Sequence, residues 1–274
     1  AIGGQLVFGD TGAEGGTYNL IAGTLTVSNG VIEGPAGGSQ NANVNNAQLH
    51  VDGGTLEVLA GGIQVQRFSV GEAAGTTGRY TVTGGQLLQT SGTLAVGGAG
   101  NGYLTLTGGV INASDSRIGQ YAGGTGEFTV AEGQLVVANA IYLGDSGTGT
   151  MWVQGGTNHT AGSAIVGNSA GSEGRMVVEL ADEAETFTFT TGRLTVGNNG
   201  KGTFELLKGT VNANVGVYAG DNSGSSGSNA ALVVIGKADQ STAPTLNVKG
   251  GNLDVGIGGL TGGGERTQAA VEMY

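Results

Sequence analysis

Apolar and polar residues alternate along this chain in short runs, and the runs come in threes. The stretch TLAVGGAGNGYLTLTGGVINAS (93–114) shows the unit. An alternating run ends in glycine and a Gly/Asn/Ser loop follows. A second alternating run then meets a Gly-Gly turn, and a third, shorter run closes the unit. The same grammar recurs in FSVGEAAGTTGRYTVTGGQLLQT, IYLGDSGTGTMWVQGGTNHT and LTVGNNGKGTFELLKGTVNAN. A period of two predicts half-buried β-strands. No window carries the 3.6-residue period of an amphipathic helix.

The glycine closing the first strand of each unit is placed at Gly9, Gly34, Gly71, Gly97, Gly119, Gly144, Gly167, Gly197 and Gly220, a mean spacing near 26 residues. The 37-residue step from Gly34 to Gly71 contains the polar stretch GGSQNANVNNAQ, read as an inserted loop or an extra degenerate turn. The 30-residue step from Gly167 to Gly197 contains ELADEAETFTFTTG, read as a second insertion.

A stacked solenoid requires inward positions to stay apolar in every turn, because they build one core. Aligning the second strands gives a first inward column of Tyr80, Leu104, Phe128, Met151, Met176 and Phe204. A second column reads Val82, Leu106, Val130, Val153, Val178 and Leu206. All twelve are apolar. The row between them, Thr81, Thr105, Thr129, Trp152, Val177 and Glu205, is mixed, as a solvent-facing row should be.

These patterns predict an all-β fold: a single-stranded right-handed parallel β-helix (β-solenoid) of roughly 10–11 turns with three short strands per turn. Residues 1–274 read as a single β-solenoid domain, with loop insertions near 35–48 and 179–190. The segment 262–274 is a possible C-terminal cap, as a short helix or a final strand. A leucine-rich repeat would need a helical half, and a propeller blade about 40 residues.

Composition agrees with a narrow aliphatic core. Glycine supplies 59 of 274 residues, proline only 2, and charged residues 11%. The absence of a Gly-X-Y period excludes collagen. The 38% hydrophobic content, spread in alternating runs, argues against disorder. With no cysteine, disulfides and thiolate metal sites are excluded. The net charge of -11 disfavours nucleic acid and anionic membranes as partners. No apolar run reaches the length of a membrane helix, so no membrane insertion is expected. Ala1 would suit a mature end after signal cleavage, or a cloning boundary.

The units resemble the repeats of bacterial autotransporter passenger domains and related exported surface proteins. The likeness is carried by Val96-Gly97, Gly100, Gly102, Leu104, Leu106, Gly108-Gly109 and Val110. It recurs at Val196-Gly197, Gly200, Gly202, Phe204, Leu206, Gly209 and Val211, and covers about Leu6 to Gly256. It implies export to the bacterial cell surface and a β-helical stalk or adhesin. The membrane β-barrel that follows such passengers does not occur within these residues, so the chain reads as a passenger fragment or as a free-standing exported protein.

Candidate chemistry is sparse. The acidic group Glu179, Asp182, Glu183 and Glu185 reads as a solvated loop, with a cation or glycan site as the sharper alternative. Asp10, Asp145 and Asp221 follow repeat glycines and read as turn formers, since calcium-binding solenoids use a stricter GGxGxD pattern. His50 and His159 read as surface residues. Thr81/Thr83 and Thr105/Thr107 form a threonine row too short for an ice-binding plane. Asn112 and Asn212 occupy matching places and suggest a stacked asparagine ladder. Tyr103, Tyr142 and Trp152 read as scattered surface aromatics, or else as a glycan-stacking strip.

No catalytic, cofactor-binding or metal residue is assigned, no cofactor is expected, and the chain is not expected to be an enzyme. The expected function is an extracellular structural β-solenoid: a cell-surface stalk or adhesin, or a self-assembling fibre subunit. The alternative is a carbohydrate-active or glycan-binding β-helix. Expected partners are further copies joined end to end, a cell-surface or host component, or a glycan.

Overall fold

The computed structural model describes the strands Leu6–Val7, Thr17–Leu20, Thr24–Val27 and Gly30–Glu33. From residue 48 onward it describes all residues except 52, 59–60, 66, 90–91, 157–158, 182–184, 221–229, 238–242 and 256–267. Among the described residues there is no helix, and every strand pairing is parallel. The fold is a parallel β-solenoid. Six turns, from Thr77 to Ala219, are described almost without a break.

Each turn runs through three faces. Face A stacks Thr24–Val27, Gly53–Val58, Thr77–Val82, the beginnings of Asn101–Ala113 and Thr125–Leu143, then Thr148–Val153, Glu173–Glu179, Lys201–Lys208, Ala230–Ile235 and Gln268–Met273. Face B stacks Leu6–Val7, Gly30–Glu33, Gly61–Val65, Gln86–Gln89 and the later parts of Asn101–Ala113 and Thr125–Leu143. It continues through the beginning of His159–Val166, then Thr186–Phe189, Thr210–Ala213 and Thr245–Val248. Face C stacks Thr17–Leu20, Gln48–Val51, Arg67–Val70, Thr93–Val96, Asp115–Ile118 and the ends of Thr125–Leu143 and His159–Val166. It closes with Leu194–Val196, Val217–Ala219 and Leu253–Val255. Among the described residues each face has ten rungs, which at about 4.8 Å each give a rod about 45 Å long.

The columns read from the sequence are columns of the structure. Tyr80 pairs with Leu104, Leu104 with Phe128, Phe128 with Met151, Met151 with Met176, and Met176 with Phe204. All twelve inward residues are buried. Burial also pushes the Tyr80 phenol well above its ordinary pKa. The intervening row holds one surprise: Val177 is only 1% exposed. It points outward, but Trp152 and Glu205 flank it on the neighbouring rungs, and the Arg175 side chain reaches both of them.

Two glycine columns make the corner between faces C and A. One is the tracked row from Gly71 to Gly220, where the backbone turns left-handed; Gly97, for example, has φ +69°. The other, Gly78, Gly102, Gly126, Gly149, Gly174 and Gly202, lies on the far side of the same corner, at the start of face A. Gly9 and Gly34 lie outside the described residues. The strands before them, Leu6–Val7 and Gly30–Glu33, lie on face B, whereas the strand before Gly71 lies on face C. Two faces end in similar apolar-then-Gly sequences, and spacing alone does not separate them.

The stretch GGSQNANVNNAQ largely lies outside the described residues. The expected insertion at 179–190 is shorter than its span, because Thr186–Phe189 is a regular face B strand with Phe187 and Phe189 in the core. What remains is the corner 180–185, with Leu180 turned inward. At the C-terminus Gln268–Met273 is a final strand on Ala230–Ile235, not a helix. On face C one described inward position breaks the apolar rule. Ser116 stands between Leu94 and Ile141 in the inward column of face C, and its buried hydroxyl has no partner.

Candidate functional site

On a β-solenoid the outward rows are where chemistry can reach a partner, and here most of them are joined from rung to rung. Four arginines each lie over an aromatic ring of an adjacent rung: Arg79 over Tyr103 at 4.1 Å, Arg117 over Tyr142 at 4.6 Å, Arg175 over Trp152 at 4.7 Å, and Arg193 over Tyr218 at 4.6 Å. Such contacts contribute roughly 0.5–1 kcal/mol each at exposed sites. Tyr103, Tyr142 and Trp152 are therefore neither scattered nor a single strip. Each is one half of an Arg–aromatic pair, and the three divide between faces A and C.

A second set of links runs along the corner after face C. Asp145 accepts from Arg117, to which it is ion-paired, and from the Asn168 side-chain amide at 2.7 Å. Asn198 then donates to Asn168 at 2.9 Å. The turn-former reading of Asp145 thus becomes more specific: it is the acceptor at one end of a polar ladder three rungs long. Asp10 and Asp221 lie outside the described residues. On face B the expected asparagine ladder is present in part. Asn247 donates to Asn212 at 3.0 Å, and Asn212 donates to Thr188 at 3.3 Å. Asn112 shares that row but is separated from Asn212 by Val136, Thr160 and Thr188.

Glu179 is paired with Lys237 at 2.5 Å, Glu185 is half-buried, and Asp182 and Glu183 lie outside the described residues. Among the described residues no three His, Asp or Glu side chains come together as a metal site. Backbone register pairs His50 with Ser69.

His159 corrects the surface reading. It is fully buried, directly beneath Phe187 in the inward column of face B, with ring centroids 5.9 Å apart. The core accepts it because backbone groups satisfy both ring nitrogens. Nδ1 accepts from the Leu135 N–H at 3.2 Å, and Nε2–H donates to the Gly155 carbonyl at 2.8 Å. Burial holds its pKa below the usual histidine value, against the opposing pull of the Gly155 carbonyl and Glu185. The unfolded chain therefore takes up a proton at a higher pH than the native one, so stability falls as pH drops through the ordinary histidine pKa near 6.5 and continues falling toward the lower native value. His159→Gln, which can keep both hydrogen bonds but does not titrate, removes that component. Between pH 8 and pH 5 the wild type is expected to lose more stability in urea unfolding than the glutamine variant does. The extra slope is at most about 1.4 kcal/mol per pH unit. Parallel curves for the two proteins would refute the assignment.

A concavity lies on face A among the described residues. Glu127, Thr150 and Arg175 are successive residues of one outward column, and Thr129 and Trp152 are neighbours in the next. The short Thr129 and Thr150 sit diagonally between tall side chains. They form the floor of an open trough of about 420 Å³ walled by Glu127, Trp152, Gln154 and Arg175. Arg175 is anchored by Glu205 at 2.7 Å. Glu127 and Gln154 are exposed.

What the fold and these rows define is a β-solenoid repeat protein. No protein-family model matches the chain. No curated protein and no solved structure matches it either.

Proposed function

We propose that the chain is an extracellular structural rod, serving at the bacterial cell surface as a stalk or adhesin shaft, or as a subunit that assembles end to end into a fibre. The observation that carries this reading is the direction of the side-chain links. Arg–aromatic pairs, the Asp145–Asn168–Asn198 ladder, the Thr188–Asn212–Asn247 ladder and the Arg175–Glu205 ion pair all join one rung to another. Each link is individually weak. Together they reinforce the long axis, the direction along which a stalk or fibre bears load.

In the fibre form the contact between copies would fall on the last described rung. Its strands Thr245–Val248, Leu253–Val255 and Gln268–Met273 each pair on one side only among the described residues. Leu253, Val255 and Met273 are exposed there in line with core columns, Met273 at 73%. A second copy docking on that end would extend the ladder by a heterologous contact that does not close. The autotransporter-like repeat grammar supports export.

Negative-stain microscopy and sedimentation velocity test the reading. Rods whose lengths fall in multiples of about 45 Å, lengthening with concentration, are expected for the fibre form. For the stalk form, single rods are expected with the native protein in the cell-surface fraction. A protein that stays as single rods at high concentration and is found only in the cytoplasm would overturn both.

A further inference from the structure

We propose that the face A trough is a binding site for one or two units of a neutral pyranose sugar. The inference goes beyond the structural role and does not depend on how rods associate.

The chemistry of the walls selects the ligand. A pyranose has one face of axial C–H groups and a rim of hydroxyls that both donate and accept. The trough offers an indole wall at Trp152 and polar groups around it: the Thr129 and Thr150 hydroxyls on the floor, the Glu127 carboxylate and the Gln154 amide at the rim, and the Arg175 guanidinium. Arg175 reaches the indole from the following rung, while Thr129 lies on the preceding rung. A volume of about 420 Å³ falls in the range of small-molecule sites. Indole is the largest aromatic surface with a polar edge, and suits a partner that is apolar on one face and wet on the other.

Other ligand classes fit worse. Phosphates and acidic sugars would meet the exposed Glu127 and the negative field of a chain with net charge -11. Arg175, the nearest cation, already has its Nε–H engaged by Glu205. A lipid or drug-like apolar molecule would leave two threonines, a glutamine and a glutamate facing hydrocarbon. For a cation, Glu127 is a single carboxylate.

The site is also positioned for its task. It lies on a β-face whose backbone is fixed by parallel pairing on both sides, Thr125–Leu143 below and Glu173–Glu179 above. Little ordering cost is then incurred on binding. Shallow, open and solvated, the trough is expected to bind weakly, on the order of millimolar for a single sugar.

Trp152 is the only tryptophan of the chain, so its fluorescence reports this site alone. The intact protein is titrated with cellotetraose, mannotetraose, galactotetraose, maltotetraose and chitotetraose while Trp152 emission is followed. At least one is expected to give a saturable change and to protect the indole from acrylamide quenching. Thr150→Lys places a long side chain on the trough floor and is expected to weaken that response at least tenfold with the far-UV spectrum unchanged. If that variant is less stable, Glu127→Ala, a truncation at an exposed position, is expected to weaken the response severalfold. No saturable change with any of the five oligosaccharides would overturn the proposal. So would an equal response in both folded variants, because the sugar would then be acting elsewhere.

Discussion

Gly126→Ala is expected to abolish the cooperative fold around the middle of the rod, while Gly75→Ala leaves it folded and only slightly less stable. The two substitutions add the same methyl group. At Gly126 the new Cβ would lie 2.0 Å from the Val96 carbonyl oxygen and 2.7 Å from the Gly119 nitrogen. Those two atoms are themselves joined by the corner hydrogen bond, Gly119 N–H to Val96 C=O at 2.9 Å. Both are backbone, so neither can rotate aside, and the collision recurs in kind at Gly102, Gly149, Gly174 and Gly202. Relief requires moving a corner that is stacked on its neighbours above and below. A cost above about 4 kcal/mol belongs to this class of strain. At Gly75 the backbone is left-handed, φ +77°, but nothing lies within 4 Å of the added methyl. Conformational preference alone costs about 1 kcal/mol. Ala231, and Ala269 after it, are described positions where the column itself carries alanine. Ten residues separate Gly220 from Ala230, against four from Gly97 to Asn101. Thermal unfolding of both variants checks the claim. Equal losses would mean that backbone preference, not crowding, selects glycine at the corner.

The β-solenoid was legible because its signal is doubly periodic. Alternation within Tyr80–Val82 and repetition from Tyr80 to Phe204 are independent, and burial satisfies both at once. His159 escaped although the same logic applied to it. Leu87, Ile111, Leu135 and His159 follow one another at intervals of 24 residues, so aligning the third strands as the second strands were aligned puts His159 inward. Residue type misled there: histidine is ordinarily partly exposed, and only the corner carbonyl of Gly155 and the Leu135 N–H make it a core residue. The trough was not legible at all. It depends on Thr129 and Thr150 being short where Glu127, Trp152 and Arg175 are long, on three rungs of different length in sequence. Such a relief map exists only once the register is known. The Arg–aromatic pairs have the same origin. Arg193 precedes Tyr218 by 25 residues and Arg117 precedes Tyr142 by 25, but Arg175 follows Trp152 by 23. No fixed spacing would have found all of them.

Phe128→Ala is expected to cost 3–5 kcal/mol, and to do so locally. Phe128 is fully buried in the first inward column of face A, between Leu104 and Met151. Removing a buried phenyl ring loses its transfer free energy and leaves a cavity whose cost depends on how far the walls collapse, about 3–5 kcal/mol in comparable cores. Along the rod axis collapse is resisted, because backbone hydrogen bonds fix the rungs about 4.8 Å apart. The side chains themselves are freer: Met151, on the next rung of the same column, is unbranched and can swing into part of the space, which favours the lower half of the range. Urea unfolding measures the magnitude. Hydrogen exchange measures the reach, and here the architecture makes a sharper demand. In a solenoid each turn touches only its neighbours, so stability is close to a sum of turn and interface contributions. Protection should fall most at the amides flanking Leu104, Phe128 and Met151, and least near Phe204, three rungs further along. A uniform loss of protection from Val51 to Val233 would mean that the rod unfolds as one unit, and that its side-chain ladders couple distant turns more strongly than nearest-neighbour stacking does.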